Sequence, residues 1–290
     1  MKYVFVINRF TVKKDLNKVI NNIKEYSVKN KLNYIIEVNS DEYKTEDILK
    51  KYQNNKNVII AVGGDGMINR VLQCVVNTKN ILGFIPYGTG NDLYKNVKKY
   101  FKNGNILCDL VKINNNYFIN VACFGIDADV ANSKDEIKLK YLPKSSSYII
   151  SLLKTFFKYK NKKFEVKINN KIIKDAFATI AVCNGSYYGN GFNIGPTSKL
   201  NDGKLEVYIA KNISKLKTLS LILKMHGGHH EKSKNIEKIV TDKLIVKSPK
   251  LVKCNIDGDI LEAKTFNIEI IKNGITLYYD ANLVKKVSKY

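Results

Sequence analysis

The sequence predicts an α/β domain followed by an all-β domain, which is an antiparallel sandwich or barrel. The chain of 290 residues is long enough for two ordinary domains. Its first third alternates strand-like and helix-like patterns, and the remainder consists mostly of short strands separated by turn residues. We expect residues 1–121 to form the first domain and residues 122–280 the second, and residues 281–290 could return to the first.

In the first third, short apolar runs predict buried strands, and apolar spacing of i, i+3, i+4, i+7 predicts helices. The predicted strands are residues 3–7, 34–38, 58–62 and 81–85, and helices are expected to begin near residues 16, 45, 68 and 92. Thr45 is the expected N-cap of the second helix. Alternation of this kind is typical of a parallel sheet that is covered by helices.

The rest of the chain predicts an antiparallel arrangement. Its short strands are residues 164–168, 177–183, 205–210, 244–247, 251–256, 266–271 and 275–279. Asn169-Asn170 and Asn273-Gly274 are the expected hairpin turns. Amphipathic helices are predicted near residues 148–159 and 214–225; for the first, packing on the core is favoured over lying on a membrane.

The charge pattern bears on the partners of the protein. The net charge is +23, from 49 basic and 26 acidic residues, and the only arginines are Arg9 and Arg70. Because arginine is the usual residue for reading bases and phosphates bidentately, this scarcity argues against nucleic-acid binding. Lysine suits an anionic membrane surface, although an AT-rich genome would also enrich a protein in lysine.

Apolar runs and cysteines indicate the compartment. No apolar run approaches the ~20 residues of a membrane-spanning helix, and residues 3–7 are typical of a strand rather than a signal peptide. The five cysteines have neither metal-binding nor disulfide spacing. We therefore expect free thiols and a cytoplasmic protein.

Two glycine-rich loops follow neighbouring predicted strands. Residues 63–66 read GGDG, and residues 88–92 read GTGND. Glycine lets the backbone approach a phosphate, and the N-terminus of the following helix favours negative charge. Either loop alone is explained by a tight turn or by a helix N-cap at Asn91 or Asp92. Together, at the strand ends where α/β sheets bind ligands, they predict a phosphate site.

These loops resemble those of the diacylglycerol kinase catalytic-domain family, which includes bacterial soluble lipid kinases. Three later blocks continue the resemblance in order and spacing. Residues 123–128 are similar to the G-x-D-A segment of the family, residues 184–205 to its N-G…G-x-G…P…D-G-x-L block, and residues 254–259 to its D-G-E block. The resemblance implies a Rossmann-like α/β domain, similar to that of NAD kinases and phosphofructokinases, and a β-sandwich, with the lipid entering between them.

The resemblance also implies an activity. Family members transfer the γ-phosphate of ATP, with Mg²⁺, to the primary hydroxyl of diacylglycerol and so make phosphatidic acid for phospholipid metabolism. Such an enzyme is expected to be cytoplasmic and to visit an anionic membrane surface without spanning it. The oligomeric state stays open, with a homodimer as one alternative.

The functional residues of the family are carried over to matching positions. The resemblance gives Asp259 the role of general base, and it gives Asp65, Asp92 and Asp127 roles in organising nucleotide and magnesium. The positions matched to nucleotide contacts are Asn8, Lys13, Gly63, Gly64, Asp65, Gly66, Gly88, Thr89, Asn91 and Lys95. Asp202, with the backbone oxygens of Lys199 and Lys204, matches a structural magnesium site.

Some positions depart from the family pattern. Met67 and Arg70 replace a threonine and a glutamate, Asp259 replaces a glutamate, and residues 8–12 lack a glycine. Shortening a base by one methylene lowers the rate where sub-ångström placement matters. The alternatives are a kinase for another lipid alcohol, such as a sphingoid base, a kinase for a soluble acceptor such as NAD, a catalytically weak nucleotide- or lipid-binding regulator, and a basic nucleic-acid-binding protein.

Overall fold

The structure is a computed structural model that describes residues 1–125, 161–211 and 213–289. The chain forms two compact units, which we call unit 1 (Met1–Cys108 with Asn273–Tyr290) and unit 2 (Asp109–Lys272). These units are defined by contacts within the chain. The domain limits expected after residues 121 and 280 concern independent folding, and they stay predictions. The predicted helix at residues 148–159 lies outside the described residues.

The strands are β1 (Lys2–Ile7), β2 (Tyr34–Val38), β3 (Asn57–Gly63), β4 (Ile81–Pro86), β5 (Gly104–Ile113), β6 (Asn116–Phe118), β7 (Val121–Gly125), β8 (Lys162–Ile168), β9 (Lys171–Cys183), β10 (Tyr187–Tyr188), β11 (Phe192–Asn193), β12 (Leu205–Lys211), β13 (Glu237–Thr241), β14 (Lys243–Ile256) and β15 (Asp259–Tyr279). The α-helices are α1 (Arg9–Val12), α2 (Leu16–Lys29), α3 (Thr45–Lys50), α4 (Asp65–Val75), α5 (Asp92–Tyr100), α6 (Lys215–Met225) and α7 (Ala281–Val287).

Unit 1 is built on a parallel sheet. Its strands lie in the order β2-β1-β3-β4, and the end of β15 adds a parallel strand beside β4, with Leu277 opposite Leu82. Strand β3 is buried along its whole length, as its continuous apolar run predicts. Helix α2 buries Val19 and Ile23 in the same core as Leu283 of α7. The α/β prediction for the amino-terminal part of the chain is confirmed.

Unit 2 is antiparallel. Strands β13, β12 and β9 pair in that order; β9 pairs with both β7 and β8, and β14 pairs with β7, β8 and β15. Residues Val111 and Phe118 of the β5–β6 hairpin share one apolar core with Phe124, Phe177 and Phe266 of these strands. The prediction of an antiparallel sandwich-like second part is confirmed.

Two details of the predicted turns and caps come out differently. Asn169 and Asn170 form the expected two-residue hairpin between β8 and β9, with φ of 46° and 62°. Asn273-Gly274 is not a hairpin, because β15 continues through it to pair with β4 in unit 1. Thr45 does not cap α3, since its hydroxyl is buried and accepts a hydrogen bond from the side-chain amide of Asn39 at 3.2 Å.

Four cysteines are buried and Cys74 is half-buried, and none of the five forms a disulfide. Helix α6 begins where the sequence predicts, with the Ser214 hydroxyl accepting from the Lys217 amide at 3.5 Å. Among the helices in the described part of the chain, none combines the length and apolarity required to cross a bilayer.

Candidate active site

The two glycine-rich loops lie side by side in unit 1. Because β3 and β4 are parallel neighbours, with Gly63 opposite Pro86, their carboxyl ends meet at one edge of the sheet. The amide of Tyr87 donates to the carbonyl of Gly63 at 2.7 Å. A Cβ atom on Gly88 would lie 2.5 Å from the Cα of Gly64, which is closer than such atoms approach. Position 88 therefore requires glycine for the loops to be in contact.

The carboxylate of Asp65 joins the first loop to the helix that follows the second. Asp65 is the first residue of α4, and its Oδ1 accepts from the amides of Asp92 at 2.7 Å and Leu93 at 3.4 Å. These are first-turn amides of α5, which lack partners within the helix. An N-cap normally comes from the residue before its own helix. For α5, the capping carboxylate comes instead from Asp65 in the other glycine loop.

Asn91 shapes the second glycine loop rather than capping α5. It precedes α5 with a left-handed φ of 52°, and its side chain makes no capping bond. Instead its amide group closes the second loop, since Oδ1 accepts from the Gly88 amide and Nδ2 donates to the Gly88 carbonyl, both at 3.0 Å. The alternative explanation of this loop, an N-cap at Asn91, does not hold, because the Asp65 carboxylate binds the first amides of α5.

The surroundings of these loops suit an anion. The first turns of α4 and α5 lie at adjacent strand ends, and helix N-termini favour negative charge. The space beside Gly66 is open, with no atom within 4 Å of an added Cβ. Thr89 is exposed, and the Lys95 ammonium lies 3.4 Å from Oδ1 of the buried Asp92. The amides of Asp92 and Leu93 in α5 already bind the Asp65 carboxylate. The groups left to face phosphate oxygens are therefore the first turn of α4, with its open side at Gly66, and the Lys95 ammonium.

The loop after β1 forms a short helix. Asn8 caps α1, since its Oδ1 accepts from the amides of Phe10 at 3.0 Å and Thr11 at 3.4 Å. Asn8 also lies beside the first glycine loop, because a Cβ on Gly63 would come within 3.4 Å of its Cβ. Lys13 is exposed at the end of the helix, with a φ of 20°. Residues 8–12, which lack the glycine of the family pattern, thus form a helical turn.

The two unusual residues of α4 are both accommodated. Met67 is buried beneath Gly63, and its sulfur accepts from the Thr45 hydroxyl at 3.7 Å. Arg70 reverses the charge expected at its position, and its Nε lies 3.3 Å from a carboxylate oxygen of Glu46 in α3. Both substitutions therefore make contacts with neighbouring elements of unit 1.

Asp259 lies in unit 2, directly after the turn between β14 and β15. It is exposed and pairs with Ile256 across a two-residue turn, Asp257-Gly258, whose φ values are 48° and 101°. The Asp257 carboxylate accepts from three consecutive backbone amides, those of residues 119, 120 and 121, at 2.8 to 3.1 Å. Asp257 therefore fixes the turn from which Asp259 projects.

A second group of carboxylates surrounds Asp202. The buried Asp109 accepts from the Gly203 amide at 2.6 Å, and Asp202 accepts from the Lys204 amide at 3.1 Å. Although Asp202 is exposed as a residue, partial burial of its carboxyl, together with the charges of Asp109 and Glu206, raises its pKa. A cation at this position would relieve that repulsion, and oxygen donors suit Mg²⁺ or Ca²⁺.

The described residues hold no group of three or more His, Cys, Asp or Glu side chains arranged for a metal. A cation at Asp202 would therefore need backbone oxygens as well, as the sequence resemblance implies for Lys199 and Lys204. Lys199 is exposed in the same loop. The oxygen-rich donor set fits Mg²⁺.

A half-buried polar network lies next to this loop. The Glu206 carboxylate accepts from the hydroxyls of Thr197, Ser198 and Tyr208 at 2.7 to 2.8 Å and lies 2.8 Å from the Lys238 ammonium. Burial by itself raises the pKa of Glu206, but the bonds from Lys238 and the hydroxyls outweigh it, so the pKa is lowered. Glu206 therefore holds residues 197 and 198, just before the Asp202 turn.

The structure brings together some of the predicted site residues but not all. Asn8, Gly63, Gly64, Asp65, Gly88, Asn91, Asp92 and Lys95 gather at the edge of the unit 1 sheet, while Asp259 and Asp202 lie in unit 2. Asp127 lies outside the described residues. Sequence reasoning missed Asp109 and the anchoring role of Asp257. A lone carboxylate in the apolar run of residues 106–111 was the available signal for Asp109.

Comparison with known proteins confirms the resemblance. The family model described as the diacylglycerol kinase catalytic domain matches residues 2–116, and the one described as the YegS C-terminal NAD kinase beta sandwich-like domain matches residues 120–278. Together these two models account for both parts of the described fold.

Individual proteins agree with these matches. The chain is 25% identical over 241 residues to a protein of Alcanivorax borkumensis named "probable lipid kinase YegS-like", covering 78% of this chain and 79% of the relative. A Yersinia enterocolitica protein of the same name is 29% identical over 232 residues, covering 75% and 77%. The crystal structure of a diacylglycerol kinase from Bacillus anthracis superposes with a TM-score of 0.71 over 98% of both chains. At 17% identity that structure shows the fold alone.

Proposed function

Because the chain belongs to the diacylglycerol kinase catalytic-domain family with a YegS-type C-terminal domain, we propose that it is an ATP-dependent lipid kinase. The acceptor in this proposal is the primary hydroxyl of diacylglycerol, and the product is phosphatidic acid. The enzyme would act in phospholipid metabolism, in the cytoplasm, at the surface of an anionic membrane.

The single observation that carries the proposal is the joined pair of glycine loops. Contact between Gly64 and Gly88, with the Asp65 carboxylate on the first amides of α5, fixes two helix N-termini at adjacent strand ends. Phosphoryl transfer needs positioning and charge neutralisation more than covalent chemistry by the protein. The first turn of α4, held in place by these contacts, would supply that positioning without reorganisation during the reaction.

The chain's own residues have the following proposed roles. Gly64, Gly66 and Gly88 let the backbone approach the phosphates, and Thr89 and Lys95 contact them. Asp65 and Asp92 hold the loops in register. Asn8 and Lys13 would complete the nucleotide contacts from the turn after β1, and Gly63 and Asn91 shape the two loops.

Proton transfer is assigned to Asp259. Its carboxylate would accept the proton of the acceptor hydroxyl as the bond to phosphorus forms, a contribution of about 10²- to 10⁴-fold in rate. The turn anchored by Asp257 holds Asp259 in place. When bound, Mg²⁺ would neutralise phosphate charge, and Asp202 with the backbone oxygens of Lys199 and Lys204 would hold a structural ion.

The test is transfer of labelled phosphate from ATP to diacylglycerol in anionic mixed micelles with Mg²⁺. We expect an organic-extractable product with the wild type and none with Asp259→Asn, which should still bind ATP. Asp242→Asn, at an exposed turn of unit 2, is the matched control and should retain turnover. Normal turnover by Asp259→Asn would remove the base assignment.

The acceptor is decided by the same assay with other lipids. Transfer to a sphingoid base but not to diacylglycerol would keep the kinase and change its substrate. Binding of ATP without transfer to any member of a broad lipid panel would favour a regulatory role, and transfer to NAD would favour a soluble acceptor.

A further inference from the structure

Strand β14 carries a bulge in the middle of its pairing with β15. Lys247 pairs with Thr265 and Val252 pairs with Ala263, so four residues on β14, 248–251, face the single residue 264 on β15. The surplus residues read Ser-Pro-Lys-Leu. We call residues 248–251 the β14 bulge. A bulge takes its extra residues out of the ladder and bends the strand, and here the Lys250 amide donates to the Ser248 hydroxyl at 3.3 Å.

The tip of the β14 bulge is apolar and exposed. Leu251 is 57% exposed, and Pro249 beside it is exposed as well. Single exposed apolar residues are common on protein surfaces. Leu251 differs because it lies in a bulge with two other exposed residues, Pro249 and Lys250, and the proline cannot donate a backbone hydrogen bond.

Lysines surround the bulge. Lys247, Lys250 and Lys253 lie along it on β14, and Lys264 lies opposite on β15. Within the described residues, none of these four ammonium groups forms a salt bridge. The nearby acidic residue Glu165 has Lys174 and Lys167 at 3.0 Å and 3.6 Å from its carboxylate. Lys247 lies opposite Glu165 in the ladder, and the hydrogen bond from Lys174 together with the charges of Lys174, Lys167 and Lys247 lowers the pKa of this carboxyl group.

A cavity of about 660 Å³ opens beside the same bulge. The lining contains three lysines (Lys163, Lys174 and Lys247) and the apolar side chains of Phe164, Ala176 and Pro249. Ser248 and the carboxylates Glu165 and Asp175 complete it. Asp175 is engaged locally, accepting from the Ala176 amide at 2.7 Å. Exposed apolar atoms within a ring of ammonium groups match the boundary between acyl chains and anionic headgroups.

We propose that the β14 bulge of unit 2 docks the protein on an anionic lipid bilayer, with Leu251 entering the headgroup region and Lys247, Lys250 and Lys253 contacting lipid phosphates. The docking proposal rests on the proposed function in one respect, which is that a lipid kinase must reach a bilayer. The lysines act as point charges in a diffuse negative field, a role that needs no bidentate geometry.

The absence of tryptophan from the chain makes the test direct. Leu251→Trp introduces one fluorophore at the tip of the bulge. The matched control is Leu107→Trp, because Leu107 is a leucine of unit 1 with nearly the same exposure, 56%. Both variants are mixed with vesicles of phosphatidylglycerol and phosphatidylcholine, without diacylglycerol or ATP. Vesicles of phosphatidylcholine alone are the second control.

We expect blue-shifted emission and quenching by bromine-labelled lipid for Leu251→Trp on anionic vesicles only, with neither effect for Leu107→Trp. In cosedimentation, Lys247→Gln/Lys250→Gln should weaken vesicle binding about 30-fold, or roughly fivefold per lysine. The pair Lys24→Gln/Lys29→Gln removes the same charge from exposed positions of α2 and should have a much smaller effect. Equal losses for both pairs, or no quenching of Leu251→Trp, would overturn the proposal.

Failure of docking and failure of the proposed function give different results. Transfer of phosphate to a short-chain diacylglycerol dissolved as monomers does not require a bilayer. If that activity is present while the bulge variants bind vesicles like the wild type, the docking surface is wrong and the kinase stands. If Leu251→Trp enters the bilayer while no lipid is phosphorylated, the docking surface stands and the kinase is wrong.

Discussion

At the scale of single residues, Asp257 contributes more to the stability of unit 2 than its place in a turn would indicate. Its carboxylate is the acceptor for the amides of Ile119, Asn120 and Val121, which are all buried. Asp257→Ala leaves these donors without that acceptor, and each unsatisfied buried group costs about 1–3 kcal/mol. We expect the free energy of unfolding, measured by urea denaturation, to fall by at least about 3 kcal/mol.

The control for this prediction is Asp242→Ala, which removes an exposed carboxylate from another turn of the same unit. It should change the free energy of unfolding by less than about 0.5 kcal/mol, as ordinary surface substitutions do. Similar losses for the two variants would mean that the amides of residues 119–121 find other partners when the carboxylate is absent.

Glu206 predicts a pH dependence. Its lowered pKa means that the folded protein favours the charged carboxylate more than the unfolded chain does. This contribution is therefore present above the pKa of the unfolded chain, about 4.3, and is lost as the pH falls through the lower folded pKa. Glu206→Gln should lower the free energy of unfolding at pH 7 by about 2 kcal/mol, because hydrogen bonds to a charged group are replaced by weaker ones.

The measurement for Glu206 is urea denaturation between pH 7 and pH 3. Wild-type stability should decline more steeply on acidification than that of Glu206→Gln, and the two curves should approach each other at the acid end. Glu42→Gln, at an exposed position of unit 1, should follow the wild-type curve. Parallel curves for wild type and Glu206→Gln would contradict the contribution assigned to the Lys238 and hydroxyl contacts.

At the scale of elements, the two glycine loops make separable predictions for folding and for binding. Gly88→Ala places a methyl group 2.5 Å from the Cα of Gly64. The loops must then move apart, so we expect a loss of about 1–3 kcal/mol in unfolding free energy together with weaker ATP binding. Calorimetric titration with ATP and urea denaturation measure the two effects.

Gly66→Ala is the matched change at the neighbouring position. Nothing lies within 4 Å of the added methyl group, and the residue is inside α4. Alanine in a helix is favoured over glycine by about 1 kcal/mol, so stability should hold or rise. If phosphate oxygens occupy the open space, ATP affinity should nevertheless fall. Unchanged affinity would place the phosphates elsewhere.

The elements also show what a sequence can predict here. The apolar run of β3 and the Asn169-Asn170 turn are local signals, and both predictions are confirmed. Asn273-Gly274 has the same local signal but lies inside β15, because pairing with β4 outweighs the preference for a turn. Local patterns describe one segment at a time, whereas this pairing depends on a strand distant in the chain.

The candidate site also has features that local sequence predicts and features that depend on distant residues. The glycine loops were visible as motifs, and the parallel pairing of β3 with β4 was enough to place them together. That Asp65 caps α5 was not predictable, because a cap is normally sought next to its own helix. The same holds for Asp257 and residues 119–121, which are separated by more than a hundred positions in the chain.

At the scale of the whole molecule, the chain leaves unit 1, forms unit 2 and returns for its last segment. The returning helix α7 buries Leu283, Val284 and Val287 in unit 1, each only 2% exposed. The Asp280 carboxylate both caps α7 and accepts from the Tyr26 hydroxyl of α2 at 2.7 Å. Unit 1 therefore lacks part of its core until α7 has been made.

Truncation after Tyr279 should thus unfold unit 1 selectively. Burial of three aliphatic side chains is worth about 5 kcal/mol in total, which is comparable with the whole stability of many domains, about 5–15 kcal/mol. We expect the amides of β1 and β3 to lose protection from hydrogen exchange while those of β8 and β9 keep it. Alanine at the exposed positions Asn282, Lys285 and Lys286 should preserve protection in both units. Loss in both units after truncation would instead mean that units 1 and 2 unfold as one cooperative body.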